Sequence, residues 1–444
     1  MSSMNKFMAV QLMLVFAFAL SANAQTLLSP QQAVQTGIEN NLGLELYKNN
    51  LKIAELSNSK AAAGYYPNVV ISVQDNLSNN NLQQKFTNGT EVNSNFVWGN
   101  NLTAGLNSDW TIFNGFRIQA TKSRLAQEQQ MSKLELEQAI LDMSSRILLA
   151  YYDIVRLKIQ VQTIDQNIVV LTERTRLSKD RFEVGTVNKS EFLQGSIDLQ
   201  QAKTERENQL TGLRNAKMEL NRLQNRPVET EFEVLDNFPL QAIAFDDTYL
   251  QNIERRNLAL QIARSNEQLN VIDQRIAKSY KYPTALALGS YNYNLTQNQA
   301  GFSIYNQSNG LNLGLGVSMP IYLGGSIRRN QEIAKIESMT TQSQTQDLLQ
   351  TINLAFNQAR WQYDQAIKIL ASEEQNIPLA QENLQIASDR FRIGQAQNTL
   401  ELREAEETFF LAKTRVTLAG YSAKVAEINL ILLQGNILEG TIGQ

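Results

Sequence analysis

The sequence predicts a mainly α-helical, internally duplicated chain in which very long helical hairpins alternate with pairs of β-strands patterned for a transmembrane β-barrel. The chain matches itself at an offset near 209 to 216 residues. Heptads run through segments of about 65 residues, a length few isolated domains can bury. Four short stretches alternate apolar with small polar residues at period two.

The first element is a leader. Lys6 gives a positive start, residues 7 to 20 form an apolar run, and Ala22-Asn23-Ala24 reads as a cleavage site before Gln25. Residues 1 to 24 are therefore expected to be a secretory signal peptide. The run is too short for a membrane anchor. No Cys follows the cleavage site, so no lipid anchor is expected there. The remaining chain contains no run of about 18 apolar residues, so a membrane-spanning part is expected to be a closed barrel.

Two repeats follow, at 25 to 226 and 246 to 432, joined by a linker at 227 to 245 and trailed by a tail at 433 to 444. Four anchors recur in order. Asn41-Leu42-Gly43-Leu44 returns as Asn257-Leu258-Ala259-Leu260, and Tyr66-Pro67 as Tyr282-Pro283. Thr111-Ile112-Phe113-Asn114-Gly115 matches Pro320-Ile321-Tyr322-Leu323-Gly324, and Arg181-Phe182-Glu183-Val184-Gly185 matches Arg390-Phe391-Arg392-Ile393-Gly394. Pro227, Asp236, Asn237 and Pro239 favour irregular backbone in the linker.

Each repeat begins with a helical segment, at 30 to 64 and 246 to 281. Strands are expected at 68 to 77 and 98 to 113, then at 284 to 296 and 310 to 321. Leu311, Leu313, Leu315 and Val317 share one face of the last strand, opposed by Asn312, Gly314, Gly316 and Ser318. Leu102, Ala104, Leu106 and Trp110 oppose Thr103, Gly105, Asn107 and Asp109 in the same way. A membrane wall produces this alternation, and so does a strand on a soluble core. The leader and the small-residue face favour the wall. Trp98, Trp110, Tyr291 and Tyr293 are candidate membrane-interface aromatics. Asn-rich stretches at 78 to 97 and 297 to 309 read as exposed loops.

Long helices follow at 117 to 181 and 326 to 390, with return helices at 188 to 225 and 397 to 431. Ile140, Ile147, Ile154, Val161, Ile168 and Leu171 fall on one seam, as do Ile352, Phe356, Ala359, Tyr363, Ala380, Ala387 and Phe391. At 1.5 Å per residue such a helix approaches about 100 Å and must lie against its return helix and other subunits. Pro378 predicts a kink or break near Gln375 to Ile377.

Composition excludes much chemistry. The 444 residues include no Cys and no His, and 40 basic against 43 acidic side chains. Thiolate nucleophiles, disulfides and the commonest general base and metal ligand are absent. No cofactor, no metal and no nucleic-acid partner is expected.

The two R-F-x-x-G turns, the Tyr-Pro and aromatic-x-Gly junctions, and their duplicated order resemble the outer-membrane efflux proteins, the TolC-like channels, from about Ser29 to Leu432. The resemblance implies a homotrimer whose protomers each give four strands to one twelve-stranded barrel. It implies a periplasmic coiled-coil tunnel, a periplasmic adaptor (membrane fusion) protein docked at the hairpin tips, and an inner-membrane pump. It also implies location in outer-membrane lipid of a double-membrane bacterium. Carried over residue by residue, the adaptor-docking tips, near 182 to 188 and 391 to 397, hold Arg181, Phe182, Gly185, Arg390, Phe391 and Gly394, with both phenylalanines buried. Glu401 and Glu404 are the candidate periplasmic aperture, although Glu401 follows Gly394 by seven residues where Glu191 follows Gly185 by six. The expected function is a passive exit duct for a tripartite pump or type I secretion system, not an enzyme. The alternatives are a structural periplasmic coiled-coil protein and an envelope hydrolase using paired carboxylates.

Overall fold

The repeated Asn-Leu-x-Leu anchor performs the same task twice. Asn41 separates α1 (Pro30–Asn40) from α2 (Leu42–Ser57) with an extended backbone. Its Oδ1 accepts from the Gly43 and Leu44 amides, and its Nδ2 donates to the Leu223 carbonyl at 2.8 Å. Asn257 separates α5 (Tyr249–Arg256) from α6 (Leu258–Ser279), and its Nδ2 donates to the Leu433 carbonyl at 3.1 Å. Leu223 and Leu433 are the last residues of the two return helices, α4 (Lys189–Leu223) and α8 (Leu400–Leu433). Each asparagine thus satisfies a helix-terminal carbonyl that has no partner within its own helix. The helical segments expected at 30 to 64 and 246 to 281 are each split at this asparagine.

This computed structural model describes residues 27–243, 245, 249–393 and 399–435. The segment expected to be a leader at 1 to 24, Gly394 and most of the 433 to 444 tail lie outside the described residues. Two compact units are present. The first contains Met1–Glu45, Glu137–Asn257 and Gln350–Gln444; the second contains Leu46–Leu136 and Leu258–Leu349.

The second unit carries an antiparallel sheet of order β1-β2-β3-β4, from β1 (Asn68–Lys85), β2 (Glu91–Asn114), β3 (Thr284–Asn298) and β4 (Tyr305–Ser318). The strands expected to end at 77 and to begin at 98 and 310 are longer. Residues 78 to 97 are not a loop: β1 and β2 continue to the pair Lys85 and Glu91 around a turn at Phe86 to Thr90. Cross-strand hydrogen bonds hold this extension, where polar residues predominate and a register shift between Asn80 and Leu82 interrupts any alternation. The stretch 297 to 309 likewise contains a short turn between Asn298 and Tyr305. At the other limit, residues 319 to 321 leave the ladder after Ser318.

Both strand-to-helix junctions use left-handed backbone at equivalent positions, Gly115 and Phe116 (φ 69° and 66°) and Gly324 and Gly325 (φ 59° and 75°). The second repeat has glycine where Phe116 bears the cost of this conformation.

The long helices are α3 (Arg117–Glu183) and α7 (Ser326–Arg392), 67 residues each. In the first unit their heptad seams are buried: Ile147, Ile154, Val161 and Leu171 of α3, and Ile352, Phe356, Tyr363, Ala380 and Ala387 of α7. The expected break before Pro378 is not found, because α7 is helical throughout. Proline there removes one hydrogen bond, to the Glu374 carbonyl, while buried seam contacts on both sides hold the helix.

The linker is pinned to this helical core by buried polar groups. Tyr151, fully buried, donates its hydroxyl to the Leu28 carbonyl at 2.8 Å and accepts from the Leu235 amide at 3.1 Å. Lys424 donates to the Pro239 carbonyl at 2.7 Å and pairs with Glu427 at 2.9 Å. A Cβ at Gly420 would sit 2.9 Å from the Phe238 ring, so glycine admits the linker aromatic against α8. Among the described helices, α8 alone is long and apolar enough to cross a bilayer. It nevertheless buries Lys424 and Glu427 and lies against linker and neighbouring helices, as a bundle helix does.

Candidate functional site

The pairing register aligns the alternating strands into two continuous faces. Val69, Ile71 and Val73 of β1 lie opposite Ser108, Leu106 and Ala104 of β2. Those residues in turn face Gly289, Tyr291 and Tyr293 of β3, and Tyr291 faces Leu311 of β4. One face is therefore apolar across all four strands, and it is exposed: Ile71 is 75%, Leu313 78% and Leu315 80% accessible. The opposite face carries Ser72, Gln74, Thr103, Asn107, Ser290, Asn292 and Asn312, with Gly105, Gly314 and Gly316 between them. Four strands with β1 and β4 unpaired leave two rows of free backbone donors and acceptors in one copy.

The four candidate aromatics divide by register. Trp98 and Trp110 belong to the apolar face, twelve positions apart along β2. Trp110 Nε1 donates to the Tyr65 carbonyl at 3.0 Å, which anchors the indole at the strand-to-helix end. Tyr291 and Tyr293 lie opposite Leu106 and Ala104, midway between the tryptophans. Tyr66, Tyr282 and Tyr322 are exposed beside the strand ends near Trp110, and sequence reasoning did not select them. Their place in the Tyr-Pro and aromatic-x-Gly motifs was the available signal.

The hairpin tips are in the first unit. α3 ends in a glycine-terminated turn: the Gly185 amide donates to the Phe182 carbonyl and the Thr186 amide to the Arg181 carbonyl. Gly185 has φ 77°, where a Cβ is disfavoured, so the R-F-x-x-G motif is a helix stop. Asn188 then caps α4 by accepting from the Glu191 amide. The two arginine–phenylalanine pairs are used differently. The Arg181 guanidinium lies 4.8 Å from the centroid of the Phe391 ring, joining one hairpin to the other. Phe391 is buried with Ala387, Leu402 and Ala405, and Leu177 of α3 joins the same cluster. Phe182, expected to be buried, is 37% exposed and stacks on Phe192 of its own hairpin. Val184 and Ile393 project at the tips, 73% and 66% accessible.

Glu401 is held by Arg390 of the same hairpin, so a cation already faces its carboxylate. Glu404, one turn on, is exposed. A second charge cluster lies deeper and escaped sequence reasoning. Arg174 of α3, 4% accessible at its side chain, pairs with Glu406 of α8 and, at 2.5 Å, with Asp198 of α4. Arg403 also reaches Asp198, at 3.2 Å. No local pattern signals contacts that span 232 residues. Among the described residues, no group of Asp and Glu is arranged to hold a metal ion.

Comparison with known proteins decides the family. The outer membrane efflux protein family matches residues 31–226 and 249–436.

The chain belongs to the outer membrane efflux protein family.

Solved structures of similar fold agree. CusC, a transmembrane channel, superposes with a TM-score of 0.77 at 14% identity, covering 92% of each chain. The outer membrane protein VceC of Vibrio cholerae gives 0.75 at 16% identity, covering 92% of this chain and 96% of its own. The CmeC outer membrane channel of Campylobacter jejuni gives 0.74 at 17%, covering 91% and 85%. A search by sequence among curated proteins returns no match. The long helices and four-stranded antiparallel sheet are the fold of this family. The family and these neighbours are outer-membrane channel proteins rather than enzymes, and membership gives this chain an efflux-channel role.

Proposed function

We propose that three copies of this chain close one twelve-stranded barrel in the outer membrane, forming a passive exit duct for a tripartite efflux pump or a type I secretion system. The observation that carries the reading is the sheet with an exposed apolar face, a polar glycine-rich face and two unpaired edges. In lipid an unpaired strand edge leaves backbone groups that neither water nor protein satisfies, so the edges must meet those of other copies. Twelve positions at about 3.4 Å, in strands tilted roughly 40°, place Trp98 and Trp110 about 30 Å apart along the membrane normal. That matches an apolar layer of about 25 to 30 Å bordered by aromatic rings. The tryptophans, not Tyr291 and Tyr293, therefore mark its borders.

The helical hairpins form the periplasmic tunnel in this reading. The tips around Arg181, Phe182, Gly185, Arg390, Phe391 and Gly394 receive the periplasmic adaptor, and exposed Val184 and Ile393 offer it apolar contact. Glu401 and Glu404 border the aperture. With Arg390 offsetting Glu401, Glu404 carries most of the attraction for cations.

Purification in detergent, crosslinking to count subunits, and single-channel recording test this. Trimers with cation-preferring conductance are expected, with the preference reduced more by Glu404→Gln than by Glu401→Gln. A monomer that stays soluble without detergent and conducts nothing would instead fit a structural coiled-coil protein and refute the duct. Unchanged ion preference in both variants would remove only the aperture assignment.

A further inference from the structure

We propose that Lys278, Lys281, Arg328 and Arg329 form a binding site for the phosphate headgroup of an anionic phospholipid in the periplasmic leaflet of the outer membrane. The inference rests on the channel reading above, which supplies the bilayer, and adds a lipid ligand that the reading does not require.

All four residues belong to the second compact unit and stand where the sheet gives way to helices. β3 and β4 pair to their ends, at Thr284 and Ser318. α6 delivers the chain to β3, and Lys278 lies in its last turn. The Lys281 amide donates to the Lys278 carbonyl at 3.2 Å, so Lys281 sits in the turn just before the strand. α7 carries the chain away from β4, with Arg328 and Arg329 in its first turn. Gln331 Nε2 donates to the Ala277 carbonyl at 3.4 Å, which lays the start of α7 against the end of α6. The two basic pairs therefore meet at one level, just beyond the sheet. All four residues are exposed. The cations around them are already committed: Arg117 lies over the Tyr280 ring, Lys122 donates to Asn58, and Arg124 pairs with Asp273 and Glu128. Among the described residues, none of the four pairs with a carboxylate, Glu332 of the next turn included.

Three observations point to the ligand. The fold does not need these charges: the repeat offsets map them onto Ala62, Tyr65, Gln119 and Ala120 of the first repeat, where the same positions are neutral. Arg328 and Arg329 also stand at a helix N-terminus with no acidic residue in its first turn. The helix dipole disfavours cations there, and an anion held between them relieves both charges and dipole. Beside the cations lies apolar surface. The exposed apolar face of β4 runs past the ladder through Met319 and Ile321 to Leu323, with Ile321 97% accessible, and Tyr282 and Tyr322 are exposed next to it. A phospholipid matches both halves, with acyl chains against Ile321 and Leu323 and its phosphate among the four cations. Long basic side chains and tyrosine rings favour this depth, where hydrocarbon meets headgroups. Net negative charge is required, because four unpaired cations attract anionic lipid and gain little from a zwitterion. A soluble anion would leave the apolar residues uncovered.

Native mass spectrometry of the assembled full chain in detergent, titrated at low salt with phosphatidylglycerol or with phosphatidylcholine of the same acyl chains, measures lipid retention. Wild type is expected to retain phosphatidylglycerol in preference. Each cation near a membrane surface contributes about fivefold to affinity for anionic lipid. Lys278→Gln with Lys281→Gln, and separately Arg328→Gln with Arg329→Gln, should therefore each lower phosphatidylglycerol affinity about 25-fold and leave phosphatidylcholine unchanged. Lys335→Gln, two turns further along α7, should change it less than about twofold. Soluble glycerol phosphate, which has the headgroup without the chains, should compete only weakly. Four results would each overturn the site: equal retention of the two lipids, a preference that survives in both double variants, a loss as large in Lys335→Gln, or competition by glycerol phosphate as effective as by the lipid. Each leaves the channel reading standing, because a detergent-dependent trimer is needed to observe it. A monomer that needs no detergent overturns the channel reading itself, and the lipid site with it.

Discussion

Replacing Tyr151 by Phe removes one oxygen and keeps the ring, and the structure sets the size of the effect. The hydroxyl is bonded twice, to the Leu28 carbonyl at 2.8 Å and to the Leu235 amide at 3.1 Å, and the residue is fully buried. Both backbone groups lose their partner in the variant. At about 1 to 3 kcal/mol for a buried group left unsatisfied, with water partly reaching the half-buried Leu235, the loss should total about 2 to 4 kcal/mol. It should be local, because other ties hold the linker: Lys158 donates to the Val234 carbonyl at 2.9 Å, and Asn221 donates to the carbonyls of Val228 and Thr230. Amide hydrogen exchange followed by mass spectrometry is the assay. A loss of 2 to 4 kcal/mol speeds local opening by about 30-fold to several hundred-fold, read on peptides covering Leu28 and Leu235. Unchanged exchange there, with the variant fully folded, would refute the view that this hydroxyl pins the linker. Equal acceleration along α3 would show that the tyrosine supports the helix core instead.

Two other substitutions probe the wall and the long helix. Leu313→Arg places a charge on the exposed apolar face of β4 and, in a lipid wall, should cost about 2 to 4 kcal/mol per copy. Asn312→Arg on the opposite face should cost far less. Assembled-channel yield and thermal stability in detergent compare the two, and equal tolerance would rule out lipid contact for Leu313. Pro378→Ala restores an amide donor toward the Glu374 carbonyl within an already continuous helix, so a gain of up to about 3 kcal/mol is expected. A lower melting temperature would show that the helix is shaped around its proline.

What the sequence disclosed depended on whether the signal was periodic. Heptads located the long helices, and alternation found the strands wherever one face is apolar. Alternation stops at Ser78, where polar residues come to predominate in β1, so a real strand to Lys85 read as loop. Pro378 was weighed as a local breaker, but a helix in a continuous seam is held by its neighbours more than by any single hydrogen bond. At the tips, R-F-x-x-G was visible as a turn. That Arg181 serves Phe391 of the other hairpin was not, because tertiary pairing leaves no local trace. Arg174, Asp198 and Glu406 were not singled out, for the same reason. Lys424 and Glu427 have the spacing of a surface pair on a helix, yet both are buried under the linker.

The strand order carries a consequence for ancestry and engineering. β1 and β2 come from the first repeat and β3 and β4 from the second, so the β2–β3 ladder already splices two repeats edge to edge. A ring closed by laying β4 of one molecule beside β1 of the next would reuse that splice, again second repeat to first. With three copies, such a cylinder would be a threefold alternation of two related half-molecules, six in all. Cutting the covalent thread between residues 227 and 245 should therefore leave two polypeptides able to rebuild it by co-expression, much as a single undivided ancestor would have done in six copies.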